Sequence, residues 1–455
     1  MQAAPADNAV APQDTTTQVA VAEEPADPNR PWIAAATASE YMLIGQSEQT
    51  FGVWVDVPKG AGGHVPTALS LAIDTSGSMR GEKIIHARDA ARRLIEELED
   101  GDIVSLVTFS GQAHLLRSPT VIDDHRRRDL LNLVEELTAE GGTAMHDGLK
   151  VAEGQLWQTP DTHLVRRMVV ISDGKATVGV TARHTLGNVA EVGLQKSIQV
   201  TALGVGVDYD ELTLNELAVR SSGRLYHVEE SSELPAIVEE EMALLESTAA
   251  ADVAVELVAA PGVHIVGTDI AHATRQGGGL AVPLGTMFGG QQRELLVRAR
   301  VDDNAVEGSK VLASVRLHFR DPAEGGVARV QEAVLRATVT DDPGLVAEHT
   351  NSRTQTLIAV REVSDWTQQA SQELNRGDLD AADVQLARAE SRMREQERRA
   401  TTKADKARAR SSAAKIAQQR SSVKKAKAKP AKARKKASRK LSLDANADAM
   451  SAFGY

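Results

Sequence analysis

The sequence predicts an α/β protein: a doubly wound, mostly parallel sheet inserted in or flanked by a β-sandwich, then a C-terminal helical segment and a disordered basic tail. Between residues 65 and 248, short apolar runs alternate with amphipathic helix patterns, which indicates parallel strands covered on both faces. Between residues 249 and 343 the helix periodicity disappears, and short strands alternate with Gly, Pro and Asp turns. Beyond residue 400, Ala, Lys, Arg and Ser dominate the composition.

Four apolar runs mark the predicted strands of the parallel sheet: "ALSLAI", "IVSLVTF", "MVVI" and "IQVTALGV". Between the first two runs, apolar residues recur with the 3.6-residue period of a helix that buries one face. This stripe comprises Ile84, Ala87, Ala91, Leu94, Ile95 and Leu98. Alternation of such strands and helices favours an open, mostly parallel sheet.

The strands near the start of the chain have no partners close in sequence. Residues 31–64 alternate in the manner of β-strands, so we expect them to complete the β-sandwich formed by residues 249–343. On this interpretation the α/β domain, residues 65–248, is inserted between two parts of the sandwich. A helical hairpin is predicted over residues 344–400, with its turn at Gly377.

Composition excludes several classes of chemistry. The chain has 455 residues, 42% of them apolar but only 3% aromatic, and no cysteine, which excludes disulfides, thiolate metal sites and a cysteine nucleophile. No apolar run approaches the roughly 18 residues that span a bilayer. Residues 1–30 lack the pattern of a signal peptide and are predicted to be a disordered arm. We expect a cytoplasmic location as written, or a periplasmic or cell-surface one if a signal peptide has been removed.

The net charge of −11 conceals a strong asymmetry. Residues 401–440 contain 16 Lys and Arg and one acid, Asp405, so this segment carries +15 and the rest of the chain −26. The tail, residues 401–455, ends in a short apolar terminus. It is either a solvated tail or a contact for polyanions, such as nucleic acid, an anionic surface or the acidic body of a neighbouring chain. Because no aromatic residue interleaves, a nucleic-acid contact would be indifferent to sequence.

Oxygen-bearing side chains follow the first apolar run, in "LSLAIDTSGSMRGEKI". Asp74 ends the predicted strand, and Ser76 and Ser78 lie on the loop behind it. Thr143 stands before another helix, and Asp173 follows another buried strand. Ligands of open parallel sheets bind beyond the carboxyl ends of the strands, where these five residues would meet. Hard oxygen donors suit Mg²⁺, or Mn²⁺ or Ca²⁺, so the sequence predicts a divalent-cation site.

These motifs resemble the metal-ion-dependent adhesion site of von Willebrand factor A (VWA) domains. The matching segments are "DTSGS" at 74–78, Thr143 in "GGTAM" and Asp173 in "ISDG", and the resemblance covers roughly residues 65–250. The layout of the whole chain is similar to bacterial VWA proteins with a flanking β-sandwich, and to inter-alpha-trypsin inhibitor heavy chains.

The resemblance implies a doubly wound fold and a protein-binding role. It implies that Ser76, Ser78 and Thr143 ligate the metal directly. Asp74 and Asp173 would act largely through bound water. An Asp or Glu of a protein partner would fill the open coordination position. Adhesion or complex assembly, without catalysis, is therefore the expected function.

Simpler and competing interpretations remain open at this point. Asp and Ser are common helix N-caps, and Asp-Gly forms turns, so the same residues could serve as caps alone. His146 and Asp147 could join the site or merely line a helix start. An alternative function is a scaffold with a structural metal site, in which the basic tail binds polyanions.

A remote alternative is a Mg²⁺-dependent hydrolase with Asp74 as nucleophile. Haloacid-dehalogenase-type phosphatases need a second acid two residues after this aspartate, and the chain has Ser76 there. Neither a GxxxxGK[ST] phosphate loop nor a GxSxG nucleophile elbow occurs in the sequence. We therefore expect a binding module and no enzyme.

Overall fold

The computed structural model describes residues 32–206, 208–270, 272–276, 279–302 and 306–451. The predicted N-terminal arm, residues 1–30, lies outside this part of the chain.

Three strands precede the α/β domain. They are β1 (Ile33–Thr37), β2 (Tyr41–Leu43) and β3 (Glu48–Asp56). β1 and β3 pair antiparallel, with Ile33 opposite Val55 and Thr37 opposite Phe51. Their remaining partners lie more than 200 residues further along the chain, beyond the α/β domain.

A six-stranded sheet forms the centre of the α/β domain. Its strands are β4 (Thr67–Asp74), β5 (Ile103–Phe109), β6 (Ala113–Val121), β7 (Val165–Ser172), β8 (Ile198–Val205) and β9 (Arg224–Val228). The spatial order is β6-β5-β4-β7-β8-β9. All neighbours are parallel except β5 and β6, which form an antiparallel pair. The predicted doubly wound, mostly parallel sheet is confirmed.

Helices cover both faces of this sheet. They are α1 (Glu82–Glu97), α2 (Asp124–Glu135), α3 (Met145–Leu156), α4 (Arg183–Leu194), α5 (Glu211–Arg220) and α6 (Leu234–Glu246). α1, α2 and α6 share one apolar core with the sheet, and α3, α4 and α5 share the other. Successive side chains of β4 point to opposite faces of the sheet. Leu69, Leu71 and Ile73 therefore pack in the first core, and Ala68 and Ala72 pack in the second.

The β-sandwich completes around the inserted domain. Its later strands are β10 (Thr248–Ala259), β11 (Val263–Thr268), β12 (Thr274–Gln276), β13 (Gly279–Phe288), β14 (Gln292–Val301), β15 (Gly308–Asp321) and β16 (Val327–Thr340). One sheet has the order β1-β3-β14-β11, and the other β12-β13-β10-β15-β16-β2. β3 lies antiparallel to β14, with Trp54 opposite Glu294. An apolar core fills the space between the sheets.

The chain enters and leaves the α/β domain at one narrow point. Gly63 forms an isolated bridge with Thr248, next to the end of α6. At Gly62, whose φ is 103°, a Cβ atom would lie 2.3 Å from the carbonyl oxygen of Ser247. Only glycine tolerates both this φ and this close approach. The two connections therefore lie side by side in contact, and the domain is inserted without a long linker.

Helices follow the sandwich. They are α7 (Pro343–Glu348), α8 (Ser352–Arg376), α9 (Leu379–Arg399), α10 (Lys403–Lys427) and α11 (Ala431–Ser451). Gly377 ends α8 with a φ of 83°, and the Asp378 carboxylate then caps α9. Within the described part of the chain, no helix combines the length and the apolar character that crossing a bilayer requires.

The basic tail differs from the prediction of disorder, because α10 and α11 are helices that pack on α8 and α9. One face of α10 is buried in their shared apolar core. This face comprises Ala409, Ala413, Ile416, Val423 and Ala426. Cations of α10 also meet acids of α9: Arg420 lies 2.8 Å from Glu390, and Lys427 lies 2.7 Å from Asp380. Alanine has a high helix propensity, and its small side chains form an apolar helix face that can be buried. The average composition of the tail does not reveal this face.

Candidate metal centre

Asp74 ends the central strand β4 and is completely buried. One carboxylate oxygen, Oδ1, accepts a hydrogen bond from the Ser76 amide at 2.9 Å. The other, Oδ2, accepts one from the Ser172 hydroxyl at 2.6 Å. Burial raises the pKa of Asp74 to about 6, although hydrogen bonds from Ser172 and Ser76 act in the opposite direction. Both oxygens therefore have neutral donors, and no cation touches this carboxylate in the described residues.

Ser76 and Ser78 lie on the loop that follows, at the start of a short 3₁₀ turn. Their hydroxyl oxygens are 3.0 Å apart; Ser76 is buried, whereas Ser78 is exposed. Between them, the Gly77 amide donates to the carbonyl oxygen of Gly141 at 3.0 Å. A Cβ at Gly77 would lie 3.1 Å from that oxygen, so glycine allows the close approach of the two loops.

Thr143 lies on the second loop, shortly before α3, and is buried. Its amide donates to the hydroxyl oxygen of Thr177 at 2.9 Å. Its carbonyl oxygen accepts from the amides of Thr177 and Val178. The second loop is thus attached to the third, just as Gly141 attaches it to the first. Three loops that are remote in sequence form one edge of the site.

Asp173 follows β7 on the third loop, and its side chain is fully buried. Its Oδ2 atom accepts a hydrogen bond from the Lys83 ammonium of α1 at 2.9 Å. Its carbonyl oxygen accepts from the Asp210 amide at 2.6 Å, which holds the loop against the start of α5. The negative charge of Asp173 also contributes, after burial, to the raised pKa of Asp74. The two carboxylates are therefore neighbours.

The structure places all five predicted residues at the carboxyl edge of β4 and β7, which are adjacent strands. Whether they bind a metal stays a prediction. His146 and Asp147 lie on the first turn of α3 and contact each other at 3.3 Å; among the described residues, neither forms a hydrogen bond or ion pair with the five. Among the described residues, no group of three or more His, Asp or Glu side chains is placed to hold a metal. A metal ion at this site would therefore need hydroxyl oxygens among its ligands.

Two residues of the site were not singled out from the sequence. Ser172 donates to Asp74 and accepts from the Gly174 amide at 2.8 Å, so it connects the first and third loops. Lys83 supplies the cation on Asp173. Ser172 stands within the quoted "ISDG" motif, and its hydroxyl next to Asp173 was an available signal. The contact of Lys83 spans 90 residues, and no local pattern indicates it.

The donor set fits a hard divalent cation. All candidate ligands are oxygens, as Mg²⁺, Mn²⁺ and Ca²⁺ prefer. Asp74 is a fully buried carboxylate without a cationic partner among the described residues, a costly state that a bound cation would relieve. The exposed Ser78 marks the side from which an ion or a ligand could approach.

Comparison with known proteins places the domain that contains these residues in a family. Residues 69–240 match the family model of the von Willebrand factor type A domain. This part of the chain is a VWA domain, as the motifs predicted. Domains of this family commonly bind a divalent metal and mediate protein interactions.

Relatives extend the match in sequence. An uncharacterized protein of Synechocystis sp. is 28% identical over 276 residues, which cover 58% of this chain and 63% of the relative. Inter-alpha-trypsin inhibitor heavy chain H4 of Sus scrofa is 27% identical over 186 residues, or 40% of this chain and 19% of that protein. The chain thus spans less than two thirds of the length of these curated relatives.

Solved structures show the same fold over most of the chain. A von Willebrand factor type A protein from Catenulispora acidiphila is 22% identical, with a TM-score of 0.69, covering 81% of this chain and 88% of that one. The ArnB paralog VWA2 from Sulfolobus acidocaldarius is 15% identical, with a TM-score of 0.61, covering 92% and 97%. The likeness of fold therefore extends beyond the VWA domain.

Proposed function

We propose that this chain is a metal-ion-dependent protein-binding module for adhesion or complex assembly. In this proposal, a divalent cation at the carboxyl edge of the sheet holds an Asp or Glu side chain of a partner. The observation that carries the proposal is the junction of three loops. They bring two buried carboxylates next to hydroxyls, in a domain of the VWA family.

Each of the five residues has a role in the proposal. Ser76, Ser78 and Thr143 would offer hydroxyl oxygens as direct ligands. Asp74 and Asp173 would hold metal-bound water and orient the loops. When bound, the cation, with Mg²⁺ as the first candidate, would supply an electrophilic position for an incoming carboxylate. The protein's own contribution is the edge formed by the three loops, whose hydrogen bonds to one another bring these residues together.

The surroundings of Asp74 support binding over catalysis. A nucleophilic aspartate needs a free oxygen facing the substrate, but both oxygens of Asp74 accept hydrogen bonds inside the protein. The acid that a phosphatase of this type would need is replaced by Ser76. We therefore propose that the module is not an enzyme.

A second candidate function rests on the basic helices. An open surface depression of about 650 Å³ is lined at the α9–α10 turn by five cations and one acid. Its lining is Arg394, Glu397, Arg398, Lys403, Lys406, Ala407 and Arg410. This excess of positive charge favours an anionic ligand. Polyanion binding by the basic helices, with a structural metal site, is thus the alternative proposal.

A pull-down from lysate and cell-surface extract separates the two proposals. Wild type is compared in Mg²⁺ and in EDTA with Asp173→Ala and Ser78→Ala in Mg²⁺. Ser78→Ala is the milder variant, because Ser78 is exposed and its loss leaves no buried charge unpaired. Partners lost in EDTA and with both variants support the metal-dependent module. Partners retained under all conditions contradict it.

The basic helices are tested by charge removal, since deleting residues 401–455 would also remove two packed helices. The triple variant Lys403→Gln, Lys406→Gln, Arg410→Gln keeps the helix and neutralises three cations of the depression. Loss of heparin or nucleic-acid binding in this variant, together with a reduced dependence on salt and indifference to EDTA, would favour the alternative.

A further inference from the structure

A lysine occupies the candidate metal centre. Lys83 stands on the first turn of α1, and its Nζ atom lies 2.9 Å from Oδ2 of Asp173. The Asp173 side chain is 0% exposed and that of Lys83 is 24% exposed. This ion pair is therefore screened little by solvent, and it neutralises one of the two carboxylates of the site.

The path of the lysine side chain depends on a glycine. Gly206 follows β8 with a φ of 85°, and a Cβ atom there would lie 3.0 Å from Cε of Lys83. The methylene chain of Lys83 thus lies against backbone that carries no side chain. Because this packing restricts the chain, the ammonium is held toward Asp173 and is not free in solvent.

A divalent cation next to Asp173 would place two further positive charges close to the ammonium. Like charges at a few ångströms repel strongly where little water intervenes. The ammonium must then withdraw, or the cation must bind against its repulsion. In both cases, the positive charge of Lys83 weakens the net attraction of the carboxylates for a metal ion.

We propose that Lys83 is a built-in competitor of the metal at this site. It neutralises Asp173 when no metal is present, and it raises the metal concentration at which the site fills. This inference rests on the proposed function, because it requires that the site bind a divalent cation. A site tuned in this way would load only at high metal concentration, or when the carboxylate of a partner adds its own attraction.

Metal titration tests the proposal. Mn²⁺ binding is followed by electron paramagnetic resonance in wild type, Lys83→Met and Arg92→Met. Methionine keeps an unbranched chain against Gly206 and removes the charge. Arg92→Met is the matched control, because Arg92 lies on the same helix and pairs with Glu96, outside the site. We expect Lys83→Met to lower the dissociation constant for Mn²⁺ at least tenfold, and Arg92→Met to leave it within twofold.

The possible outcomes distinguish a failure of the competitor role of Lys83 from a failure of the proposed metal site. If neither wild type nor Lys83→Met binds Mn²⁺, the proposed metal site fails, and the competitor role fails with it. If wild type binds Mn²⁺ and Asp74→Asn abolishes binding, the metal site stands. Equal or weaker binding by Lys83→Met then overturns the competitor role alone.

Wild-type protein provides a second test that no folding defect can obscure. Lysines are acetylated in EDTA and in saturating Mg²⁺, and the chain is then cleaved at arginine. The peptide "GEKIIHAR", between Arg80 and Arg88, contains Lys83 as its single lysine. Lys196, before β8 at the opposite edge of the sheet, serves as reference. We expect Mg²⁺ to raise acetylation of Lys83 at least threefold relative to Lys196; unchanged acetylation in metal-loaded protein would overturn the proposal.

Discussion

Two buried carboxylates in this molecule have opposite surroundings. Glu294 on β14 lies 3.0 Å from Arg353 of α8 and 2.6 Å from Arg408 of α10. Burial alone would raise the pKa of Glu294, but the charges of Arg408 and Arg353 outweigh it and hold the pKa below its usual value. Within the described part of the chain, Asp74 has only neutral donors, and burial raises its pKa to about 6.

The difference separates a structural carboxylate from a candidate binding carboxylate. Glu294 joins three parts of the chain, a sandwich strand and two helices, and its charge is balanced internally. Asp74 has the hydrogen bonds that orient it but no counter-charge among the residues that the structure describes, so it is suited to a cation from outside. Buried groups with such perturbed pKa values are concentrated at functional sites, and this one lies at the sheet edge where ligands of the fold bind.

The largest expected effect comes from removing Glu294, the carboxylate whose charge is balanced within the protein. Glu294→Ala leaves Arg408 without its buried partner, whereas Arg353 keeps Asp56 at 2.6 Å. We expect a loss of about 3–4 kcal/mol in the free energy of unfolding, measured by chemical denaturation. Asp302→Ala is the control, because Asp302 is an exposed carboxylate that contacts His264 and Arg300. A loss no greater than that of the control would contradict the structural role of Glu294.

The next effect is a pH dependence caused by Asp74 in metal-free protein. Its folded pKa, about 6, lies above its ordinary 3.8, so its contribution to stability is complete below pH 4 and is lost as pH rises through 6. At roughly 1.4 kcal/mol per pKa unit, the loss is about 2–3 kcal/mol. Denaturation in EDTA at pH 4 and pH 7 should show it in wild type and not in Asp74→Asn.

Glu294 supplies the opposite trend as a control for that measurement. Its pKa is lowered, so its contribution is present above its ordinary 4.5 and is lost as pH falls through the folded value. The stability difference between wild type and Glu294→Gln should therefore shrink on acidification. Parallel pH trends for Glu294 and Asp74 would contradict the contrast drawn between the two carboxylates.

Mg²⁺ should raise the free energy of unfolding of wild type at pH 7 and leave that of Asp74→Asn unchanged.

A smaller effect is expected when the neutral donors of Asp74 are removed. Ser172→Ala deprives Asp74 of a hydrogen bond and the Gly174 amide of its acceptor. Unsatisfied buried groups cost about 1–2 kcal/mol in the free energy of unfolding. Mn²⁺ binding should weaken as well, since Asp74 loses its orientation. Ser411→Ala, at an exposed position of α10, should change neither quantity.

The smallest effect is expected where one charge of an ion pair is largely exposed to solvent. Lys440 of α11 lies 3.1 Å from Glu229, and its side chain is 64% exposed. Solvent weakens such pairs, so Lys440→Ala should cost about 0.5 kcal/mol or less in denaturation experiments. A cost approaching that of Glu294→Ala would mean that contact with the basic helices, and not burial of the carboxylate, determines the effect.

Much of the α/β domain was predictable because its signals are local. Apolar runs indicated buried strands, and the 3.6-residue stripe indicated α1. The site residues Asp74, Ser76 and Ser78 occur within five positions, and the carboxyl-edge rule brings Thr143 and Asp173 toward them. The basic tail misled the prediction because its charges dominate the composition. Its buried face consists mainly of alanine, which a search for large apolar residues overlooks.

By itself, the sequence determined the strand and helix periods, the insertion of one domain in another, and the oxygen donors at the ends of β4 and β7. Periodicity and turn chemistry act between near neighbours, so they are visible in one dimension. Only the tertiary structure decided which carboxylates meet a cation. Lys83 reaches Asp173 across 90 residues, and Arg408 reaches Glu294 across 114. Charge balance at a buried group depends on such distant contacts, and they exist only once the chain has folded.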